Sequence, residues 1–230
     1  MIEIGWTPYK YSPVENPYEM EWIDNVYFEP ERLTKFYEDS NNYFKRCPAN
    51  AQFLKNFYMI RAPFDLTYKL IREENKYTTN QNMRFNRTFI VNRMDEFTDK
   101  DLVSVTFGFQ YLFVADKPVI MEVYPPFLHG EIKNTRLING SINIFRWQRP
   151  IDFSFEMLND KEPIEIKRGQ PMMYVKFLGE NLDEDFKLKK IEWTEELLKI
   201  TKRTQIIKWV ENLSAKILKK GNNRPKKLVK

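Results

Sequence analysis

Residues 151–177 read IDFSFEMLNDKEPIEIKRGQPMMYVKF and carry the clearest secondary-structure pattern in the chain. Apolar residues at positions 151, 153, 155 and 157 alternate with polar residues at positions 152, 154 and 156. A period of two places alternate side chains on opposite faces of a β-strand. Turn residues at 159–160 and 168–171 then separate this strand from shorter apolar segments. The stretch therefore predicts a hairpin that closes a β core.

The same period recurs before this stretch. Apolar residues alternate with polar ones over residues 64–70 and again over residues 105–113. The sequence DKP at 116–118 leads into a further strand pattern at 119–124, which predicts a second hairpin. The polar residues 72–81 predict a loop. Several short strands separated by turns indicate a mainly β fold, an antiparallel sandwich or barrel.

The two ends of the chain differ from this middle part. The first 30 residues are rich in Pro, Tyr and Trp, and they predict extended chain packed on a β-rich domain of residues 1–186. Short helices are predicted at 31–37 and, with Pro48 in a first-turn position, at 49–56. Apolar residues at positions 206, 210, 213 and 217 predict an amphipathic helix within residues 187–221, with Thr194 as its cap and Gly221 as its stop. Residues 222–230 predict a flexible basic tail.

The charge is distributed unevenly along the chain. Residues 187–230 carry a net charge of +10, whereas the rest carries −5, so the total is +5. No apolar run has the roughly 18 to 20 residues that a membrane-spanning helix needs, and the first residues lack a secretory pattern. We therefore expect no membrane association and a protein that stays in the cytoplasm or in a particle assembled there. Cys47 is the one cysteine, so no internal disulfide can form.

The composition argues against several kinds of catalysis. One histidine and one cysteine cannot supply the ligand sets of iron or zinc centres, and the acidic residues 183–185 lack the spacing of a calcium loop. The seven glycines form no phosphate-binding motif. We expect no metal site and no cofactor, and a non-enzymatic protein is favoured over an enzyme.

Two segments contain candidate ligand-binding residues. His129 lies in VYPPFLHGEI, a constrained loop at the end of a strand, where it either serves a site or forms an ordinary loop hydrogen bond. In IFRWQRP, Arg146, Trp147 and Arg149 combine positive charge with an aromatic plane that suits phosphates or bases, although Trp147 also suits a core. Alternation in that segment predicts that Trp147 points inward and Gln148 outward.

The basic tail is a further candidate. Its cationic residues are Lys219, Lys220, Arg224, Lys226, Lys227 and Lys230. Such residues release counterions from phosphates when they bind nucleic acid. They also suit a solvated helix face or an acidic protein partner, and the tail helix packs either on its own sheet or on another subunit. The sequence leaves these alternatives open.

Two resemblances add expectations. The segments CPANAQFLKNFYMIRAPFDLTYKL (47–70), INGSINIFRWQRP (138–150) and KRGQPMMYVKF (167–177) resemble a family of uncharacterised proteins encoded by marine tailed phages, including cyanophages. That resemblance implies a phage accessory or virion-associated protein made in the host cytoplasm. Residues 151–177 also resemble the closing strands of the β-clip fold of dUTPases and dCTP deaminases. However, RLINGSINIFRW (136–147) lacks the aspartate- and tyrosine-bearing loop of those enzymes, so no catalytic residue is implied.

These observations lead to one main hypothesis and two alternatives. The main hypothesis is a non-enzymatic phage accessory or structural binding protein, with a protein partner or self-association, on a jelly-roll, cupin-like or β-clip-like core with a carboxyl-terminal helix. The first alternative is an enzyme or sensor that binds a small phosphorylated or acidic metabolite through Arg146, Arg149, Arg168 and His129. The second is nucleic-acid binding through the tail.

Overall fold

The computed structural model describes residues 1–8, 26–34, 47–73, 76–79, 89–94, 101–181, 183–207 and 228–229. Its strands are β1 (Ile2–Pro8), β2 (Glu31–Arg32), β3 (Phe57–Arg61), β4 (Leu66–Tyr68), β5 (Leu70–Glu73), β6 (Lys76–Thr79), β7 (Phe89–Met94), β8 (Asp101–Ala115), β9 (Ile120–Tyr124), β10 (Thr135–Leu137), β11 (Gly140–Asn143), β12 (Pro150–Met157), β13 (Ile164–Ile166), β14 (Pro171–Leu178) and β15 (Phe186–Lys190). Its helices are α1 (Pro48–Leu54) and α2 (Glu195–Ile207).

Two sheets form a sandwich. Sheet A has the order β10-β12-β8-β1-β15, and β7 also pairs with β8. Sheet B has the order β11-β9-β14-β3-β2, and two small two-stranded pairs, β4 with β13 and β5 with β6, lie outside both sheets. The prediction of a mainly β sandwich is confirmed. Within the described ranges neither sheet closes on itself, so the barrel alternative is not realised.

The core lies between the two sheets. The alternating apolar residues of β12 face it, and Phe153 and Phe155 are 1% and 0% exposed, as the period of two predicts. From sheet B, Phe177 reaches across to Phe113 of sheet A with ring centroids 5.7 Å apart. Phe177 also contacts Tyr58 and Phe186, at centroid distances of 5.7 and 6.1 Å. These aromatic contacts join both sheets into one apolar interior.

Both predicted hairpins are wrong in their pairing. Strand β12 pairs with β8 and β10 in sheet A, whereas β14 pairs with β3 and β9 in sheet B. Likewise β8 and β9 belong to different sheets, so the turn at 116–118 carries the chain across the sandwich. Alternation reports which face of a strand is buried, and it does not report the neighbouring strand. Residues 151–177 therefore span the core and contribute a strand to each sheet.

A carboxyl-terminal helix covers the outer face of sheet A. Leu197 of α2 packs with Leu112, Val114 and Ile191 in a second apolar cluster. The Thr194 hydroxyl accepts a hydrogen bond from the Leu197 amide at 3.1 Å, so the predicted cap is confirmed. The described part of the helix ends at Ile207, and the predicted stop at residue 221 lies outside the described residues.

The end of the chain returns to this cluster. Leu228 and Val229 are buried in it, and the Asp116 carboxylate accepts hydrogen bonds from both of their amides at 2.7 and 2.9 Å. Asp116 therefore links the turn between the two sheets to the tail.

Helix α1 covers the outer face of sheet B. It begins with a proline at its first turn, as predicted, and its buried Leu54 packs with Leu33, Phe57 and Met59. The helix predicted from residue 31 is wrong at its start, because Glu31–Arg32 form β2 against β3. The predicted loop at 72–81 is also wrong in its described part, where β5 and β6 pair.

Candidate functional site

A cavity opens at the edge of the sandwich. It lies where Ile138 and Asn139 carry the chain from β10 in sheet A to β11 in sheet B, and its volume is about 240 Å³. The lining residues are Thr106, Val123, Leu137, Ile138, Asn139, Gly140, Ile142, Arg149, Ile151, Asp152 and Ser154. An apolar wall with a few converging polar groups is the usual composition of a small-molecule site.

The charged part of the cavity is an ion pair. Arg149 Nη2 lies 3.5 Å from Asp152 Oδ2, and the two side chains are 22% and 17% exposed. The pairing of β12 with β8 shifts register between Ile151 and Phe153, so Asp152 lies opposite a bulge in β8. The Arg149 guanidinium also lies over the Trp147 ring, 5.4 Å from the ring centroid. The irregular pairing of β12 with β8 thus presents both charges at the edge of the sheet.

Two hydroxyls lie beside the charges. Thr106 Oγ1 and Ser154 Oγ are 2.9 Å apart and hydrogen-bonded across paired positions of β8 and β12. Their cross-strand contact places both side chains in the lining of the same cavity. The cavity therefore offers donors and acceptors next to an aliphatic surface.

The turn before β12 sets the position of Arg149. The Trp147 amide donates to the Asn143 carbonyl at 2.8 Å, and the Arg146 amide donates to Asn143 Oδ1 at 3.0 Å. This segment is a turn, and the outward position predicted for Gln148 is wrong. Gln148 is 2% exposed, and its amide nitrogen donates to the Phe145 carbonyl at 2.5 Å.

Helix α2 forms a hydrogen bond to the turn that precedes β12. The Thr204 hydroxyl donates to the Gln148 carbonyl at 2.6 Å. Trp147 is half-buried, and the exposed Arg146 does not line the cavity. Of the three candidates in this segment, Arg149 lines the cavity and Trp147 supports it.

His129 lies on the outer face of sheet B, away from the cavity lining. Its Nδ1 is hydrogen-bonded to the hydroxyl of Tyr174, which is itself fully buried. Nearby, Arg61 donates to the Glu31 carboxylate at 2.8 Å and to the Gly169 carbonyl at 2.8 Å. Partial burial lowers the pKa of His129, the charge of Arg61 lowers it further, and Glu31 opposes this effect.

Arg168 contacts neighbouring loop residues and does not line the cavity. Its guanidinium lies over the Phe28 ring at 4.6 Å, and its Nε donates to the Pro63 carbonyl at 3.1 Å. Its amide donates to Asp65 Oδ1 at 2.7 Å. The structure therefore does not bring Arg168 or His129 to the cavity beside Arg149. The cationic tail residues at 219, 220, 224, 226, 227 and 230 lie outside the described residues.

The His129 environment predicts a pH dependence of stability. Because the pKa of His129 in the folded protein is below its ordinary value of 6.5, the unfolded chain binds more protons between these two values. Stability contributed by the neutral imidazole is therefore present above pH 6.5 and is lost as the pH falls through the folded pKa. We expect the melting temperature of the wild type to fall more, from pH 7.5 to pH 5, than that of His129→Asn.

The asparagine variant is a suitable comparison. Its amide oxygen can accept the Tyr174 hydroxyl but cannot be protonated in this range, and the carboxylates titrate in both proteins. Since His129 is the one histidine of the chain, the difference between the two pH profiles reports this group. Parallel profiles would contradict the assignment.

An exposed aromatic patch lies near His129. Phe53 of α1 and Phe127 pack at a centroid distance of 5.8 Å and remain 44% and 40% exposed. Lys176 lies between the Phe53 and Phe57 rings, with its ammonium 4.9 and 5.0 Å from their centroids. Burial against these rings lowers the pKa of Lys176.

Sequence reasoning did not single out the cavity residues Asp152, Ser154 and Thr106. Asp152 and Ser154 are the polar members of the alternating strand, and their residue types do not distinguish a site from a solvated face. The signal that could have helped is the spacing of Arg149 and Asp152, which are three residues apart and of opposite charge.

Comparisons with protein families, with curated proteins and with solved structures gave no significant match. In the part of the chain that the structure describes, no group of three or more His, Cys, Asp or Glu side chains is placed to hold a metal ion. No described helix has the length and apolar character needed to cross a bilayer.

Proposed function

We propose that the protein is a non-enzymatic binding protein whose small ligand occupies the cavity beside Arg149. The observation that carries this proposal is the convergence of an ion pair, two hydroxyls and an aliphatic wall on one opening of about 240 Å³. Pockets for drug-sized ligands have volumes of roughly 300 to 1,000 Å³, so this opening suits a smaller molecule.

The arrangement of side chains favours binding over catalysis. The described residues that line the cavity include neither histidine nor cysteine, and their carboxylate, Asp152, is paired with Arg149. The chain's histidine is hydrogen-bonded to Tyr174 on another face of the sandwich. Among the described lining residues, therefore, no histidine or cysteine is positioned for proton transfer.

The proposed biological setting is that of a phage accessory or structural protein in the host cytoplasm or the virion. The resemblance to phage proteins includes residues 138–150, and this segment supplies Ile138, Asn139, Gly140, Ile142 and Arg149 to the cavity. The resemblance and the cavity thus fall on the same segment. The exposed patch of Phe53 and Phe127 is an apolar surface available to a protein partner.

A thermal-shift panel tests the binding role. Organic acids, amino acids, sugars and nucleotides are tested against the wild type, Arg149→Ala and Arg146→Ala. We expect at least one compound to raise the melting temperature of the wild type. A hydrogen bond to a charged group contributes about 1.5 to 3 kcal/mol, so Arg149→Ala should weaken that binding by roughly 10- to 150-fold.

Arg146→Ala is the matched control, because Arg146 lies in the same turn and does not line the cavity. It should bind as the wild type does. Circular dichroism checks that both variants are folded. A panel without any shift, or an equal loss in both variants, would refute the proposed role.

A further inference from the structure

The cavity is balanced in charge. Among its described lining residues, the ionisable side chains are Arg149 and Asp152, one of each sign. Their closest nitrogen and oxygen atoms are 3.5 Å apart, which is longer than the roughly 2.7 to 2.9 Å of a good charge-assisted hydrogen bond. Two opposite charges thus lie side by side at the opening, in a pair longer than a tight charge-assisted hydrogen bond.

This balance disfavours a simple anion or cation as ligand. A carboxylate or phosphate beside the pair is attracted by Arg149 and repelled by Asp152 with similar strength, so most of the gain cancels. A molecule with an adjacent ammonium and carboxylate gains from both residues.

The apolar wall of the cavity restricts the kind of side chain that the ligand can carry. Its apolar members are aliphatic, namely Val123, Leu137, Ile138, Ile142 and Ile151. Ile138 remains 41% exposed, so it has apolar surface available for contact. The described lining contains no aromatic ring for a sugar to stack on. Aliphatic surface of this kind fits a short branched or linear hydrocarbon side chain.

We propose that the ligand of this cavity is a free zwitterionic α-amino acid with a small aliphatic side chain. Its carboxylate pairs with Arg149, its ammonium pairs with Asp152, and its side chain lies on the wall of Ile138 and Ile142. This inference rests on the proposed binding function and specifies its ligand class. The hydroxyls of Thr106 and Ser154 line the same cavity.

Calorimetric titration with three matched compounds tests the inference. Leucine carries both charges, 4-methylpentanoate lacks the ammonium, and 3-methylbutylamine lacks the carboxylate. Each lost charged contact should cost about 10-fold or more in affinity, so leucine is expected to bind at least 10-fold more tightly than either analogue.

Two variants test whether the preference among the three compounds depends on the charges of Asp152 and Arg149. A purely structural role of these residues would not change that preference. Asp152→Asn leaves Arg149 without its counter-charge, so this variant should lose leucine affinity and gain affinity for 4-methylpentanoate. Arg149→Gln should show the reverse preference, for 3-methylbutylamine. Arg146→Gln is the control and should keep the order of the wild type.

The outcomes separate the two proposals. If 4-methylpentanoate or a sugar binds the wild type as tightly as leucine and depends on Arg149, the zwitterion assignment is wrong while the binding function stands. If none of the three compounds binds and the broad panel gives no shift, both proposals fail. Unchanged ligand preference in folded Asp152→Asn and Arg149→Gln also overturns the assignment.

Discussion

Phe177→Ala is expected to lower the free energy of unfolding by about 3 to 5 kcal/mol. Phe177 is fully buried, and its ring contacts Tyr58, Phe113 and Phe186 at the centre of the sandwich. Truncation removes the apolar contacts and leaves a cavity that two facing sheets cannot easily close. Because domains are stable by only about 5 to 15 kcal/mol, this loss is a large fraction of the total.

Equilibrium unfolding in urea measures the effect. Phe53→Ala is the matched control, since Phe53 is 44% exposed and its truncation opens no enclosed cavity. Its loss should be clearly smaller than that of Phe177→Ala. Equal losses at the two positions would contradict the placement of Phe177 in a closed core.

Gly5→Ala is expected to destabilise the protein by about 1 to 3 kcal/mol through overpacking. A Cβ atom at Gly5 would lie 2.9 Å from Ile191 Cδ1 and 3.0 Å from Val114 Cγ2. Gly5 lies in strand β1, where the apolar cluster of α2 packs on sheet A. The absent side chain at this position lets Ile191 approach the backbone of the strand.

A double-mutant cycle isolates this contact. Ile191→Ala removes both side-chain atoms of Ile191 that lie near the added carbon, so Gly5→Ala should cost less in that background than in the wild type. Stability is again measured by urea unfolding of the four proteins. Additive losses would show that the strain at Gly5 does not come from Ile191.

The fold class could be predicted from the sequence because alternation is a direct consequence of half-buried strands. The pattern at 151–157 identifies β12, and the proline at 48 and the threonine at 194 identify the starts of both helices. Strand partners could not be predicted in the same way. The turns at 116–118 and 168–170 look like hairpin turns, yet the first connects strands of different sheets and the second leads from the small β4–β13 pair into sheet B.

Only part of the candidate site could be predicted from the sequence. Arg149 could be chosen by residue type, because a guanidinium next to Trp147 is a common binding pair. Its partner Asp152 could not, since a polar residue in an alternating strand is expected to face solvent. The cavity depends on the irregular pairing of β12 with β8 and on the crossing of residues 138–139 between the sheets, and both arise from tertiary packing.

The position of β1 has a consequence for how the protein is made. This strand pairs with β8 on one side and in parallel with β15 on the other, so Ile2 is matched with Phe186. At roughly 5 to 20 residues per second, a ribosome needs about ten to forty seconds to synthesise the chain between these partners. During that interval one edge of β1 has no neighbour to pair with, and sheet A becomes complete only after β15 has been made. Chaperone protection of the nascent chain would therefore have its greatest value before β15 emerges.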